Sequence, residues 1–492
     1  MDVRSCRPPQ NLYFTNDRKL LSVGMAIQPD ATYASNPTGR RRIVIVLICA
    51  AQAMLIVDVV VVNVALPSIR NGLAIPDDHL QLISVAYTLT FGSLLIAFGR
   101  AGDLLGRRRV FLLGLSLFTL ASLFTGLAQN EWQLITARAG QGVGAAMVAP
   151  TALALLTTAF EEGARRNRAL GYWAAVSSAG AIGGQLLGGL MTDTLGWRWI
   201  FLINVPVGVV TVIAGCFVFA ESRDDRRPSL NLRGAVLLVL SLACGMLAIT
   251  RFAEGGHKDE GTFLLVAAAT ALVAFIMVER RHNTPIFDPR LIRRANVVAA
   301  NALLAVNAGM LGGTLFFTTL YLQLVLGYSP MEVGFAFAPI TLLILIISPR
   351  AGALITRYGA RLLVLIGFCL LAGGMLLLAR VPTNGSYLRD VLPPLFLLAI
   401  GSGLSYAPTF AAGTAGVPNH DQGLASGLLN SAQELGTAVG VAVLGALAAA
   451  STVDTTVNSL AAGYRTGLLT AAGALVVSLL LIRQVPGTGE SS

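Results

Sequence analysis

"GRAGDLLGRRRV", from Gly99 to Val110, packs four arginines, one acid and three glycines into twelve residues. Long apolar runs flank it, near 80–98 and 110–128. Charge this dense between segments this apolar reads as a tight turn in water between two helices in hydrocarbon, because a helix needs about 20 apolar residues to cross a layer ~30 Å thick. The same alternation continues along the chain. Further apolar segments lie near 43–66, 133–158, 169–191, 199–220, 234–250, 262–278, 296–324, 333–348, 362–379, 391–415, 423–449 and 466–482. The sequence therefore predicts an all-α integral membrane protein with fourteen crossings, of which 234–250, 333–348 and 466–482 are short.

Composition leads the same way. Of 492 residues, 55% are hydrophobic and 12% charged, and mean hydropathy is +0.71. A soluble domain carries roughly 25% charged residues, so this chain has too few to cover a water-facing surface. The net charge of +10 comes from residues that punctuate apolar runs rather than cluster on one face, which argues against nucleic acid as a partner. Five cysteines are scattered without a CxxC pair, and four histidines fall in links without metal-ligand spacing. No metal or organic cofactor is expected.

Basic residues orient the chain. With the N-terminus placed inside, 27 of the 35 Lys and Arg fall in inner links and tails and seven in outer links, with Arg138 alone inside a span. Basic residues favour the cytoplasmic side, so both termini are expected there, in a multi-pass protein of the cell membrane surrounded by lipid. Residues 1–40 lack an apolar core; they are expected to be a disordered tail, not a signal peptide.

The chain also echoes itself. Gly99 and Gly106 are matched 253 positions on by Gly352 and Gly359, each pair followed closely by arginine. Gly171, Gly180 and Gly184 are matched 256 positions on by Gly427, Gly436 and Gly440. Two echoes at nearly one offset point to two related six-helix bundles, over 41–222 and 291–484. Residues 223–290 then form an inserted two-helix linker, and 485–492 a short cytoplasmic tail.

The opening stretch resembles the loop between spans two and three of the major facilitator superfamily. "VDVVVVNVALP" (Val57 to Pro67), "RAGQGVGAA" (Arg138 to Ala146), "WRWIFLINVPVG" (Trp197 to Gly208) and "YLQLVLGYSP" (Tyr321 to Pro330) are similar to that superfamily's fourteen-span drug:proton antiporters. The resemblance covers nearly everything after residue 40. It implies two bundles that rock about a central site, proton-coupled export of small, often amphipathic or cationic compounds, and the proton as coupling ion. A single chain acting as a monomer is expected. Proton-coupled import of a nutrient, and export of the cell's own metabolite or siderophore, stay open as alternatives. No selectivity-filter loop, Walker motif or nucleophile constellation is present, so a channel, an ATP pump and an enzyme are disfavoured.

In this frame the opening stretch is a gating loop. Gly99, Gly102 and Gly106 allow close helix approach, Asp103 can accept from a helix N-terminus or an arginine, and Arg107 and Arg108 hold the turn at the inner face. Ionisable groups at membrane depth are costly, roughly 2.5–3.5 kcal/mol on insertion scales. Three therefore stand out as proton-coupling candidates. Asp58 lies mid-span, where desolvation penalises the charged carboxylate and suits proton uptake and release. Arg138 has Gln141 on the same helix face and, staying charged, can tune a carboxyl rather than carry the proton. Glu434 lies deep in the thirteenth segment, where many relatives carry an amide.

Gly180, Gly184 and Gly188 recur every four residues as a helix-packing strip. The resemblance places a proline after the glycine at 184, and Gln185 stands there instead. Asn63, Gln141, Asn301, Asn307, Tyr321, Gln323, Asn430 and Gln433 are the candidates for a substrate wall, each able to serve equally as interhelical glue.

Overall fold

In the computed structural model the described residues are 37–221, 231–254, 258–282, 291, 293–452 and 457–487. The tail over 1–36 and most of the link after 221 lie outside them. All regular secondary structure among the described residues is helical. In chain order the helices are α1 (Pro37–Leu73), α2 (Asp77–Leu105), α3 (Arg107–Gly126), α4 (Glu131–Ala159), α5 (Ala164–Leu195), α6 (Trp199–Leu202) and α7 (Asn204–Val218). They continue as α8 (Leu232–Glu254), α9 (Lys258–Arg281), α10 (Ala295–Leu320), α11 (Pro330–Leu378), α12 (Leu392–Thr414), α13 (Gln422–Ala450) and α14 (Val457–Ser478). Among the described residues, eleven helical segments are long and apolar enough to cross a membrane.

Several boundaries differ from the hydropathy reading, for local reasons. The segments expected at 333–348 and 362–379 are two helices that meet in a kink at Gly359, where φ is 75° and the backbone leaves helical geometry; α11 names both together, and its first part runs well past 348. A polar link ends an apolar run without ending a helix, since the peptide hydrogen bonds continue past Arg350 and Arg357 until a residue with left-handed backbone breaks them. The run at 199–220 is one span over Trp199–Val218, with α6 and α7 joined at Ile203, whose backbone stays helical and whose amide donates to the Trp199 carbonyl at 3.0 Å. Pro206 cannot donate to the carbonyl four residues earlier, so one hydrogen bond of that span is missing. Gly106, with φ 109°, makes the turn between α2 and α3 that the opening stretch foretold. Asn130 caps α4 by accepting from the Gln133 amide at 3.0 Å, and Ser329 with Glu332 forms a capping box at α11.

Helices α2, α3 and α4 pack together, α5 lies on α1, and α7 on α3 and α1. In the second half α11 packs on α12, α10 on α13, and α14 on α10 and α11. Among the described residues the halves meet where α5 packs on α11 and α12, and where α13 packs on α2 and α4. Helices α8 and α9 pair with each other, and α8 rests against α2 and α13. Large apolar side chains point outward, with Phe217 81% and Leu480 80% exposed. Such a surface suits hydrocarbon, where packing rather than water exclusion holds helices together.

The two sequence echoes occupy matching contacts. At Gly99 an added Cβ would lie 2.5 Å from the Gly423 carbonyl and 3.2 Å from Gly427 Cα. At Gly352 it would strike the Asn167 carbonyl and lie 3.1 Å from Gly171 Cα. Further along the same helices, Gly180 and Gly184 face Ile56 and Val60 of α1, while Gly436 and Gly440 face Ala305 and Gly309 of α10. Helix α5 thus stands to α11 and α1 as α13 stands to α2 and α10. Gly188 continues the strip, against Val61.

After α14 a 3-10 turn (Leu479–Gln484) returns the chain to the break in α11. Arg361 there donates through Nε to the Val485 carbonyl at 2.9 Å and through Nη2 to the Arg483 carbonyl at 2.8 Å. Its amide donates to the Pro486 carbonyl, and Val485 is fully buried.

Candidate functional site

Asp58 of α1 sits at the centre of a sealed polar cluster. Arg138 Nη1 lies 2.5 Å from Asp58 Oδ2, and both side chains are out of solvent. Gln141 Nε2 donates to Asp58 Oδ1 at 3.0 Å, and Asn204 Nδ2 of α7 donates to the same oxygen at 2.9 Å. Gln141 also donates to Ser122 Oγ at 2.8 Å and accepts from Arg138 Nη1 at 3.0 Å and from Thr125 Oγ1 at 3.1 Å. Arg138 Nε reaches the Ile83 carbonyl at 3.3 Å. The guanidinium lies 4.4 Å from the Tyr87 ring centre and 5.8 Å from that of Phe201. Charges this deep persist only when paired and hydrogen-bonded, and four helices supply the partners.

A cavity of about 230 Å³ lies between the halves, bounded by α1, α2, α4 and α5 on one side and α10, α11, α12 and α13 on the other. Its wall is mainly apolar, with Leu55, Ile56, Phe91, Leu311 and Ile344 among the lining side chains. Glu434 lines it and has no ion-pair partner among the described residues. Asn430 and Gln433 line it too, with Gln52, Ser177, Tyr87, Tyr406 and Thr437. Asp58 does not. Tyr87 belongs to both regions, since it lines the cavity and its ring stacks on Arg138. A carboxylate facing a mainly apolar space can hold one proton or one organic cation, and the Tyr87 ring on the same wall touches the second charged centre.

At the arginine-rich end of the molecule, Asp103 ties α2 to the start of α13. Its Oδ1 accepts from the Gly423 amide and its Oδ2 from the Leu424 amide, both at 2.9 Å. Arg107 Nη2 is 2.6 Å from Asp103 Oδ1 and also donates to the Asn419 carbonyl. Arg100 Nη1 meets Asp421 Oδ1 at 3.2 Å. The carboxylate therefore caps a helix of the opposite half, where the first-turn amides lack partners and favour negative charge. The matching position of the second half, Thr356, has a hydroxyl that accepts from Asn167 Nδ2 at 3.4 Å. Beside it, buried Arg166 joins Glu162 at 3.1 Å and the Thr414 carbonyl at 3.1 Å. Gly102 faces Thr151 and Gly106 faces Glu221. Arg108 stands apart from this junction and donates instead to the Cys216 carbonyl at 2.5 Å.

Of the expected wall residues whose side chains are described, Asn430 and Gln433 reach the cavity. Gln141 is sealed within the Asp58 cluster. Asn301 donates within its own helix to the Val297 carbonyl, and Asn307 joins α10 to α12 through Ser405 Oγ at 2.8 Å. Tyr321 and Gln323 belong to a π-type turn (Tyr321–Val325) at the far end of α10, where the Tyr321 hydroxyl donates to the Pro382 carbonyl. Of these, Gln141, Asn307 and Tyr321 tie one element to another, whereas Asn301 bonds within its own helix. The side chains of Asn63 and Gln185 lie outside the described residues. Hydropathy passed over Gln52, Tyr87 and Tyr406, because single polar or aromatic residues leave an apolar run apolar; Asn204 was missed as the partner of an acid 146 positions away.

The sequence profile of the Major Facilitator Superfamily matches residues 48–441. A puromycin resistance protein of Streptomyces alboniger is 38% identical over 475 residues, covering 93% of each chain. A cephamycin export protein of Amycolatopsis lactamdurans is 38% identical, over 84% of this chain and 86% of that one. A multidrug resistance protein of Mycobacterium tuberculosis is 36% identical, over 81% of this chain and 74% of its own length. Among solved structures, the human organic anion transporter MFSD10 superposes with a TM-score of 0.67 at 16% identity, covering 90% of this chain and 99% of that chain. At that identity the likeness speaks to the fold alone.

Proposed function

The chain belongs to the Major Facilitator Superfamily, a family of transporters rather than enzymes, and from that premise we propose that it exports small amphipathic or cationic compounds in exchange for protons. The relatives named for antibiotic resistance and export support this reading. The single observation that carries it is the Glu434 carboxylate, unpaired among the described residues in an apolar cavity between the halves. Proton and cationic cargo compete for that group. The Asp58–Arg138 pair behind Tyr87 is the second coupling centre, where rearrangement of α1 against α4 would break the pair and free the carboxylate for a proton.

The membrane arrangement follows. Adding α5, α8 and the division of α11 at Gly359 to the eleven apolar segments gives fourteen crossings. Two six-helix bundles, 41–222 and 291–484, flank the inserted pair within 223–290. Arginine-rich links then face the cytoplasm with both termini, in the plasma membrane. The Asp103 junction closes the cytoplasmic side, and alternating access requires that it open. The protein acts as a monomer with lipid as its surroundings. A narrower reading, export of one dedicated product, is favoured by the relative named for export of a single antibiotic.

Purified protein in proteoliposomes with an imposed pH gradient, tested with cationic dyes and antibiotics, decides the matter. Cargo should move against its own gradient toward the acidic side. Transport indifferent to the gradient, with Glu434→Gln behaving as wild type, would overturn proton coupling at this site.

A further inference from the structure

The cavity wall carries a chemical bias beyond its single acid. Gln52 of α1 is 4% exposed and lines the cavity. Its Nε2 donates to Ser177 Oγ at 3.1 Å, and Ser177 Oγ donates to the Trp173 carbonyl at 3.0 Å. Because the Ser177 proton is committed to Trp173, its oxygen can only accept, so the amide must present nitrogen to it. The Gln52 amide orientation is thereby fixed by chemistry, and Oε1 is left as a buried acceptor without a donor among the described residues. On the opposite wall Gln433 Oε1 is likewise buried without a donor, next to Glu434. The Tyr87 hydroxyl, also on this wall, has no hydrogen-bond partner among the described residues either. A buried acceptor left unmade is costly, and a bond to a charged donor is worth more than a neutral one.

We propose that the site selects organic cations that carry N–H donors, protonated amines rather than quaternary ammonium ions, with Gln52 as a specificity-determining residue. This rests on the export reading above and sharpens it. One acid supplies the countercharge for any cation. The carbonyl oxygens of Gln52 and Gln433 distinguish cations by what surrounds the nitrogen: an ammonium with hydrogens satisfies an acceptor, whereas a methylated nitrogen covers it with apolar surface and leaves it unpaired.

The test uses the full chain in proteoliposomes at one fixed pH and gradient, with phenylbutyl-dimethylamine and its N-methyl quaternary counterpart as competing cargoes. Both are cations at neutral pH and differ by a methyl in place of a hydrogen. Wild-type protein should prefer the amine about ten-fold or more, the worth of one charge-assisted hydrogen bond. Gln52→Met, which keeps the length and removes the acceptor, should bring the ratio to within about three-fold while both cations are still carried. Ser177→Ala frees the amide to turn and should lower the ratio as well, giving a second variant if the first folds poorly. Equal handling of the two cations by wild type, or an unchanged ratio in a well-folded Gln52→Met, overturns the proposal. If neither cation competes and only neutral compounds are carried, the cationic reading of Glu434 falls with it.

Discussion

The Asp58–Arg138 pair illustrates what a single residue can and cannot announce. An acid in the middle of an apolar run is conspicuous on its own. Its partners are not, since Arg138 lies 80 positions away and Asn204 146. Only the folded chain brings them together. The pair's burial also changes what a variant should do. Asp58→Asn leaves the Arg138 charge uncompensated, at a cost of about 3–5 kcal/mol for a buried pair broken on one side. We expect a lowered melting temperature and a lower yield of folded protein, together with loss of cation transport. Asp58→Asn combined with Arg138→Gln should recover the folded yield, by size-exclusion chromatography and thermal shift, without recovering transport. Wild-type efflux from the single variant would remove Asp58 from the coupling machinery. Glu434 behaves differently, because no basic partner among the described residues is stranded by its loss. Glu434→Gln should leave the melting temperature nearly unchanged while abolishing gradient-driven efflux of cations.

At the scale of elements, the glycine echoes matter more than the charges around them. The opening stretch was legible because glycine, acid and arginine fall at fixed spacing in a short turn. Its counterpart at Gly352 was fainter, since Thr356 replaces the acid and the helix runs on to Gly359. Helix lengths were less legible, as α11 shows: hydropathy reports where hydrocarbon ends, whereas backbone hydrogen bonding decides where a helix ends. At Gly99 a side chain would meet the Gly423 backbone at 2.5 Å, and backbone cannot step aside as a flexible side chain can. Gly99→Val should hold α2 away from α13 and raise the labelling rate of a cysteine placed at the arginine-rich end of either helix. Unchanged labelling would mean that the crossing relaxes without cost. Asp103→Asn keeps the size of the cap but loses its charge and one of two amide bonds. Turnover should fall about ten-fold or more, by the worth of a charge-assisted bond, with KM little changed. A pure rise in KM would count against a gating role.

For the whole molecule, the hydrogen bonds and ion pairs that join the halves among the described residues lie at one end, around Asp103 and around Arg166. The cavity lies between the halves, and apolar packing of α5 on α11 continues past it, as at Leu186 and Gly334. A protein that works by tilting should stall when that end is fastened. After replacement of the five native cysteines, a short bismaleimide joining cysteines at Arg100 and Asp421 should stop efflux, and the singly substituted proteins treated alike should remain active. Continued efflux from the bridged protein would mean that cargo passes without separation of these helices. The overall plan was legible from the spacing of charged links and from the internal echoes. The cavity was not, because it is assembled from eight helices and most of its lining is ordinary apolar side chain.

The clasp that Arg361 places on residues 483–486 also bears on how the protein can be handled. Val485 fills space beneath the broken helix, so an affinity handle or fluorescent reporter spliced on before that point would pry out a plug as well as add a label. Attachment beyond Gly487 leaves the plug in place, and stability measured on tagged protein is then comparable with that of the untagged chain.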